Sequence, residues 1–126
     1  MSKSEDGILQ ISTDELKDEL QNKKPQDEPI VIDVREVTEY EDGHIPGVPL
    51  IPMNEVPSML KEMDEDKSYI LVCRSGRRSQ NTAMYMKEQG FNNVRNYDGG
   101  MLDWDGERSF GQEWIVKEPK ELYTKK

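Results

Sequence analysis

The chain has 126 residues, about a third hydrophobic and a third charged, and its 17 basic against 26 acidic side chains leave a net charge of −9. That fits one small domain, and the shortage of Lys and Arg argues against a general nucleic-acid surface. Apolar runs such as Ile70 to Cys73 fall far short of the roughly 20 residues of a membrane span, so no membrane is expected as a partner.

The acidic start MSKSEDG does not read as an export signal, which makes the cytoplasm the expected location. One cysteine cannot close a disulfide within the chain, and one cysteine with one histidine cannot supply a zinc site of the usual kind. Neither a structural metal nor a cofactor is expected.

Residues 1–7 are polar and expected to be flexible, and Ile8 to Ile11 can form a short strand. Ser12 stands three residues before Glu15, a capping-box spacing, with Ile11 and Leu16 at the staple positions around it. This predicts a helix from Thr13 to Asn22. After a charged loop with two prolines, Ile30 to Val34 reads as a buried strand. Glu36 to Asp42 can form a short helix that stops at Gly43, and the three prolines between His44 and Pro52 forbid regular helix. Asn54 can cap a further helix whose Val56, Met59, Leu60 and Met63 share one face. Tyr69 to Val72 is a second buried strand with Cys73 at its carboxyl end.

Ser79 to Gln89 lacks glycine and proline and ends at Gly90, so it reads as a helix that Ser79 can cap. Asn93 to Tyr97 is a further short strand, Gly99 and Gly100 make a turn, and Met101 to Trp104 begins a last helix. From Asp105 the chain becomes irregular, with five basic and five acidic residues, so the whole net charge belongs to residues 1–104. Strands alternating with helices predict an α/β domain with a mainly parallel sheet and helices on both faces. In such sheets ligand sites lie at the carboxyl ends of strands, where Cys73 stands.

An otherwise acidic protein keeps Arg74, Arg77 and Arg78 beside its only thiol. The segment Cys73-Arg-Ser-Gly-Arg-Arg-Ser79 passes from a buried strand into a helix, so its backbone N–H groups can converge on one anion at the helix N-terminus. Those donors, the helix dipole and the guanidinium groups favour a thiolate and make Cys73 a nucleophile. Gly76 permits a tight loop. A free cysteine at a strand end is most often a small buried hydrophobe, but the loop that follows points to chemistry. Of the three arginines, Arg77 is the one expected to be a plain surface charge.

Cysteine phosphatases and related arsenate reductases use Cys-x5-Arg, whereas here the sixth residue after Cys73 is Ser79 and Arg78 comes one position early. The shorter cradle suits a single sulfur atom better than a phosphate. The lone His44 sits in a Gly-His-Ile-Pro-Gly turn and is expected to brace that turn rather than to form a Cys/His pair. With no second cysteine, a role as oxidation sensor lacks a resolving thiol.

Three motifs together resemble the single-domain rhodaneses. Asp33-Val-Arg-Glu36 with Glu39-Tyr40 and Gly43-His-Ile-Pro-Gly47 is similar to the family's first signature. Cys73 to Ser79 resembles its six-residue active loop, and Gly99-Gly-Met-Leu-Asp-Trp104 resembles its C-terminal signature. Val48-Pro49 depart from the family's usual Ala after the first signature. The resemblance implies a rhodanese-like five-stranded sheet over residues 8–104, with 105–126 an extension of open role.

It implies Cys73 as the sulfur carrier and the loop residues Arg74, Ser75, Gly76, Arg77, Arg78 and Ser79 as the substrate-binding cradle. Asp33 and Arg35 are its expected supports, and Trp104 is expected to be core. The function implied is a sulfurtransferase moving sulfane sulfur from a small anionic donor such as thiosulfate to a thiophilic acceptor, a small thiol or a protein thiol. A persulfide carrier loaded by a partner protein is the alternative.

Overall fold

Apolar residues at successive positions of a strand must be covered on both faces, and that requirement sets the layering here. The computed structural model describes residues 3–21 and 23–123. Its strands are β1 (Lys3–Glu5), β2 (Ile8–Ile11), β3 (Ile30–Asp33), β4 (Tyr69–Val72) and β5 (Val94–Tyr97), ordered β1-β2-β5-β4-β3. Pairing is parallel except between β1 and β2.

Within the segment 1–7 expected to be flexible, residues 3–5 form strand β1. Glu5 pairs with Ile8 across a turn at Asp6 and Gly7, both at positive φ. A short strand at the sheet edge carries no apolar alternation, so its sequence looks like loop. Residues 1 and 2 lie outside the described residues, as does Asn22, the expected end of the first helix.

Alternation along β3 and β4 separates two cores. Ile30, Ile32, Tyr69 and Leu71 join a cluster with Val56, Met59, Ala83 and Met86, whereas Val31, Ile70 and Val72 join Ile11, Leu16, Met101 and Trp104. The first face is therefore covered by α3 (Val56–Met59) and α4 (Arg77–Glu88), and the second by α1 (Thr13–Leu20) and α5 (Gly100–Asp103). Helix α2 (Val37–Glu41) follows β3. The capping box of α1 forms: Ser12 Oγ accepts from Glu15 N–H at 3.2 Å, and Glu15 Oε1 accepts from Ser12 N–H at 2.8 Å.

The helix expected after Asn54 is broken into a 3₁₀ turn at Met53–Glu55, α3, and a second 3₁₀ turn at Leu60–Glu62. Asn54 lies inside the first turn and caps nothing, yet Val56, Met59, Leu60 and Met63 are all buried as their spacing requires. Helix α4 starts two residues before the expected Ser79. Its N-cap is Gly76, at φ +90°, with no side-chain cap.

The segment 105–123 packs back on the domain. Leu50 bridges Asp33 on one side and Ile115 on the other, so the tail closes the exposed side of β3. Val116 and Leu122 enter the α4-side core, and Tyr123 Oη lies 2.7 Å from Tyr69 Oη. Among the described residues no helix is long and apolar enough to cross a membrane.

Leu122 is fully buried although it lies beyond the last recognisable sequence signature. Leu122→Ala is expected to cost about 2–4 kcal/mol of unfolding free energy, as for other buried leucines. Urea denaturation of the two proteins measures it.

Candidate active site

Period-two alternation puts Cys73 on the same face as Tyr69 and Leu71, under the N-terminus of α4. The loop from β4 turns back over the sulfur because Gly76 adopts a left-handed conformation. A Cβ at Gly76 would collide with the Asp98 carbonyl, so glycine is required there twice over. Gly100, at φ +62°, meets the same demand from the other side: its Cβ would strike the Arg74 carbonyl. Met101 N–H donates to the Cys73 carbonyl at 2.8 Å and Leu102 N–H to that of Arg74 at 3.0 Å. The β5–α5 turn thereby clamps the start of the loop.

Three donors converge on Cys73 Sγ: Gly76 N–H at 3.0 Å, Ser79 N–H at 3.3 Å and Ser79 Oγ at 3.2 Å. Arg77 and Arg78 occupy the first turn of α4, where backbone N–H groups lack partners within the helix. Cys73 itself is 0% exposed. The loop therefore wraps the sulfur rather than displaying it.

The remaining predicted residues separate into distinct roles. Arg74 and Ser75 on the loop and Arg77 in the first turn of α4 are exposed. Arg78 is held by Glu39 in a bidentate pair with both N···O distances 2.7 Å, which removes most of its charge from the expected donor-attracting set. Ser79 is not the helix cap; its hydroxyl lies between Cys73 Sγ and Asn96 Oδ1. Asp33 and Arg35 form a buried pair: Asp33 accepts from Arg35 N–H and from its guanidinium at 2.9–3.1 Å, and Arg35 Nη2 also donates to the Gly43 carbonyl at 2.8 Å. This pair shapes the turn after β3 instead of touching the sulfur.

His44 braces its turn through stacking on Tyr40, a bond to the Tyr40 carbonyl, and one to Glu113 Oε1 at 2.8 Å. Trp104 is core.

A cleft of about 320 Å³ beside the loop is lined by Arg35, Glu39, Asp42, Arg74, Leu102 and Arg108. Arg108 comes from the tail and donates to the carbonyls of Met101 and Trp104. Sequence reading missed it, since nothing in the local pattern says where the tail returns. It also missed Asn96 and Gln10, both buried; Gln10 carried a signal as the polar residue of the apolar strand β2, whereas Asn96 stands beside Arg95 in β5 and carried none.

The rhodanese-like domain model matches residues 12–107. The chain belongs to the rhodanese-like family. It is 43% identical over 100 residues to YtwF of Bacillus subtilis, provisionally named a sulfurtransferase, covering 79% of this chain and 93% of that protein. It is 42% identical over 106 residues to YrkF of the same organism, provisionally named a sulfur carrier protein, covering 83% of this chain and only 55% of that longer relative. The thiosulfate sulfurtransferase GlpE of Pseudoalteromonas translucida is 36% identical over 76 residues, covering 60% of this chain and 72% of that protein. The crystal structure of a rhodanese-like domain protein from Staphylococcus aureus superposes with a TM-score of 0.69 at 35% identity, over 81% of this chain and 97% of that one.

Pairing with Arg78, reinforced by the Glu36 N–H, lowers the Glu39 pKa from the ordinary 4.5 to about 2. The stabilisation is therefore complete above pH 4.5 and is lost as pH falls toward 2. Glu39→Gln is expected to cost about 1 kcal/mol at neutral pH, since the pair is partly solvated. It should also flatten the fall in stability across that acid window, which urea unfolding at a series of pH values measures.

Proposed function

We propose that the chain is a rhodanese-type sulfurtransferase that carries sulfane sulfur as a persulfide on Cys73. The observation that carries this reading is the convergence of three donors on a single buried sulfur at the start of a helix. Such a cradle stabilises negative charge without a metal, and it is shaped for one atom. The names of the GlpE and YtwF relatives support the same class of reaction.

In the first step the Cys73 thiolate attacks the outer sulfur of thiosulfate. The Sγ–S bond forms, the S–S bond of the donor breaks, and sulfite leaves with the electron pair. In the second step a thiophilic acceptor takes the outer sulfur and returns the thiolate. A covalent carrier of this kind gives double-displacement kinetics. The exposed Arg74 of the loop and Arg108 across the cleft supply the positive field that draws a dianion to an acidic protein. Arg78, paired to Glu39, serves mainly to hold α2 against the loop.

A second reading, in which Cys73 is loaded by a protein and turns over small molecules slowly, is favoured by the burial of Cys73 and by the name of the YrkF relative.

Intact mass spectrometry after thiosulfate treatment tests the proposal. A gain of one sulfur atom that is absent in Cys73→Ser and removed by cyanide as thiocyanate is expected. No gain, with the thiol still titratable, would overturn small-molecule loading in favour of the protein-fed carrier. In steady state, Arg74→Ala is expected to raise the KM for thiosulfate about fivefold at low salt, the worth of one charge at close range in water, and Arg78→Ala to lower thermal stability more than it raises KM.

A further inference from the structure

The Ser79 hydroxyl has one proton and two acceptors within reach. Its Oγ lies 3.2 Å from Cys73 Sγ and is hydrogen-bonded to Asn96 Oδ1, and a hydroxyl can donate to only one of them at a time. The sheet register explains why these groups meet. Gln10 pairs with Asn96, and Asn96 with Leu71, two residues before Cys73, so polar side chains from β2 and β5 line up under α4 on the face that carries the sulfur.

The Asn96 amide can point only one way. Its Nδ2 donates to Gln10 Oε1 at 2.8 Å and to the Gly76 carbonyl at 3.0 Å; turned over, its oxygen would face two acceptors. Gln10 is fixed in turn by donating to the Ile8 carbonyl at 3.0 Å and to Gln80 Oε1 at 2.6 Å. Cys73, Ser79, Asn96 and Gln10 are all at most 4% exposed, so bulk water does not compete for the bonds among these four.

We infer that Asn96 is a positioning residue that lets the Ser79 hydroxyl follow the negative charge between the two states of the sulfur carrier. The inference rests on the persulfide reading. In the free thiolate the charge is on Sγ, and the hydroxyl donates to it. Once the new S–S bond has formed and sulfite has left with the electron pair, Sγ is neutral and the charge sits on the outer sulfur. The hydroxyl then turns to Asn96 Oδ1. A buried hydroxyl without that second acceptor would be left unsatisfied or held on a sulfur that no longer needs it. Asn96 therefore competes with the thiolate for the proton of Ser79 and favours the loaded state over the empty one.

The charged residues of the elements packed around the sulfur are Arg74 on the loop, Arg77 and Arg78 on α4, Glu39 on α2, Asp33 at the end of β3 and Arg35 just after it; Asp98 after β5 meets the loop through its backbone carbonyl. The variants below change none of them.

The test is a pH titration of the Cys73 thiolate by its far-ultraviolet absorbance, with Cys73→Ser as the blank. Asn96→Leu, the same in branching though bulkier, is expected to raise the thiolate-to-thiol ratio at a given pH about three- to tenfold, the worth of part of one hydrogen bond to a charged group. Asn96→Ala is run beside it so that a packing failure in one variant does not decide the outcome; in both, the Gly76 carbonyl keeps its bond from Gln80 N–H at 3.1 Å. Ser79→Ala is expected to move the titration the opposite way, and Ser79→Ala with Asn96→Leu to coincide with Ser79→Ala alone.

A titration that Asn96→Leu leaves unchanged, moves to higher pH, or still displaces in the Ser79→Ala background would overturn the inference and make Asn96 a brace for Gly76 only. The titration uses no sulfur donor, so failure of thiosulfate to load Cys73 is a separate result.

Discussion

A sulfur atom shut away from water can hold negative charge only if the protein supplies the donors that water would have supplied. Here the Gly76 and Ser79 N–H groups and the Ser79 hydroxyl do so. Much of the surrounding architecture serves that convergence. Strand β4 delivers Cys73 to the end of the sheet, Gly76 reverses the chain over it, and α4 begins at once with unpartnered first-turn donors. The β5–α5 turn presses on the loop so closely that side chains at Gly76 and Gly100 are excluded.

Charge is arranged around this centre in two tiers. Arg35 and Arg78 are tied to Asp33 and Glu39, and their guanidinium groups fix the elements next to the loop. Arg74 and Arg77 are exposed, with no acidic partner within salt-bridge distance among the described residues, and Arg108 stands across the cleft. A protein with net charge −9 thus keeps a small positive mouth at its thiol. Any anion approaching the loop meets that local field at short range, where salt screens it least.

The tail is part of the folded unit. Its backbone closes the β3 side through Leu50, its Leu122 and Val116 complete one core, and its Glu113 holds His44 and the Gly47 N–H. The turn that resembles the family's first signature is therefore braced by a segment lying beyond the last signature. Arg108 reaches the cleft by the same route.

Much of this was legible from local pattern. Buried apolar runs marked β3 and β4, the Ser12–Glu15 spacing marked the start of α1, and the Cys73–Ser79 segment between strand and helix marked the candidate site, because each depends on interactions within a few residues. Other features depend on distant partners. Edge strand β1 has no apolar signal of its own, Arg78 looks free until α2 brings Glu39 to it, and Ser79 looks like a cap until β5 brings Asn96 beneath its hydroxyl.

By itself the sequence determined an α/β domain and singled out Cys73, in a loop between strand and helix, as the candidate nucleophile, since strand, turn and helix signals are local. Only the tertiary structure decided which arginines stay free, where the tail returns and how deeply the sulfur is buried, because those follow from sheet register and from contacts between segments far apart in the chain.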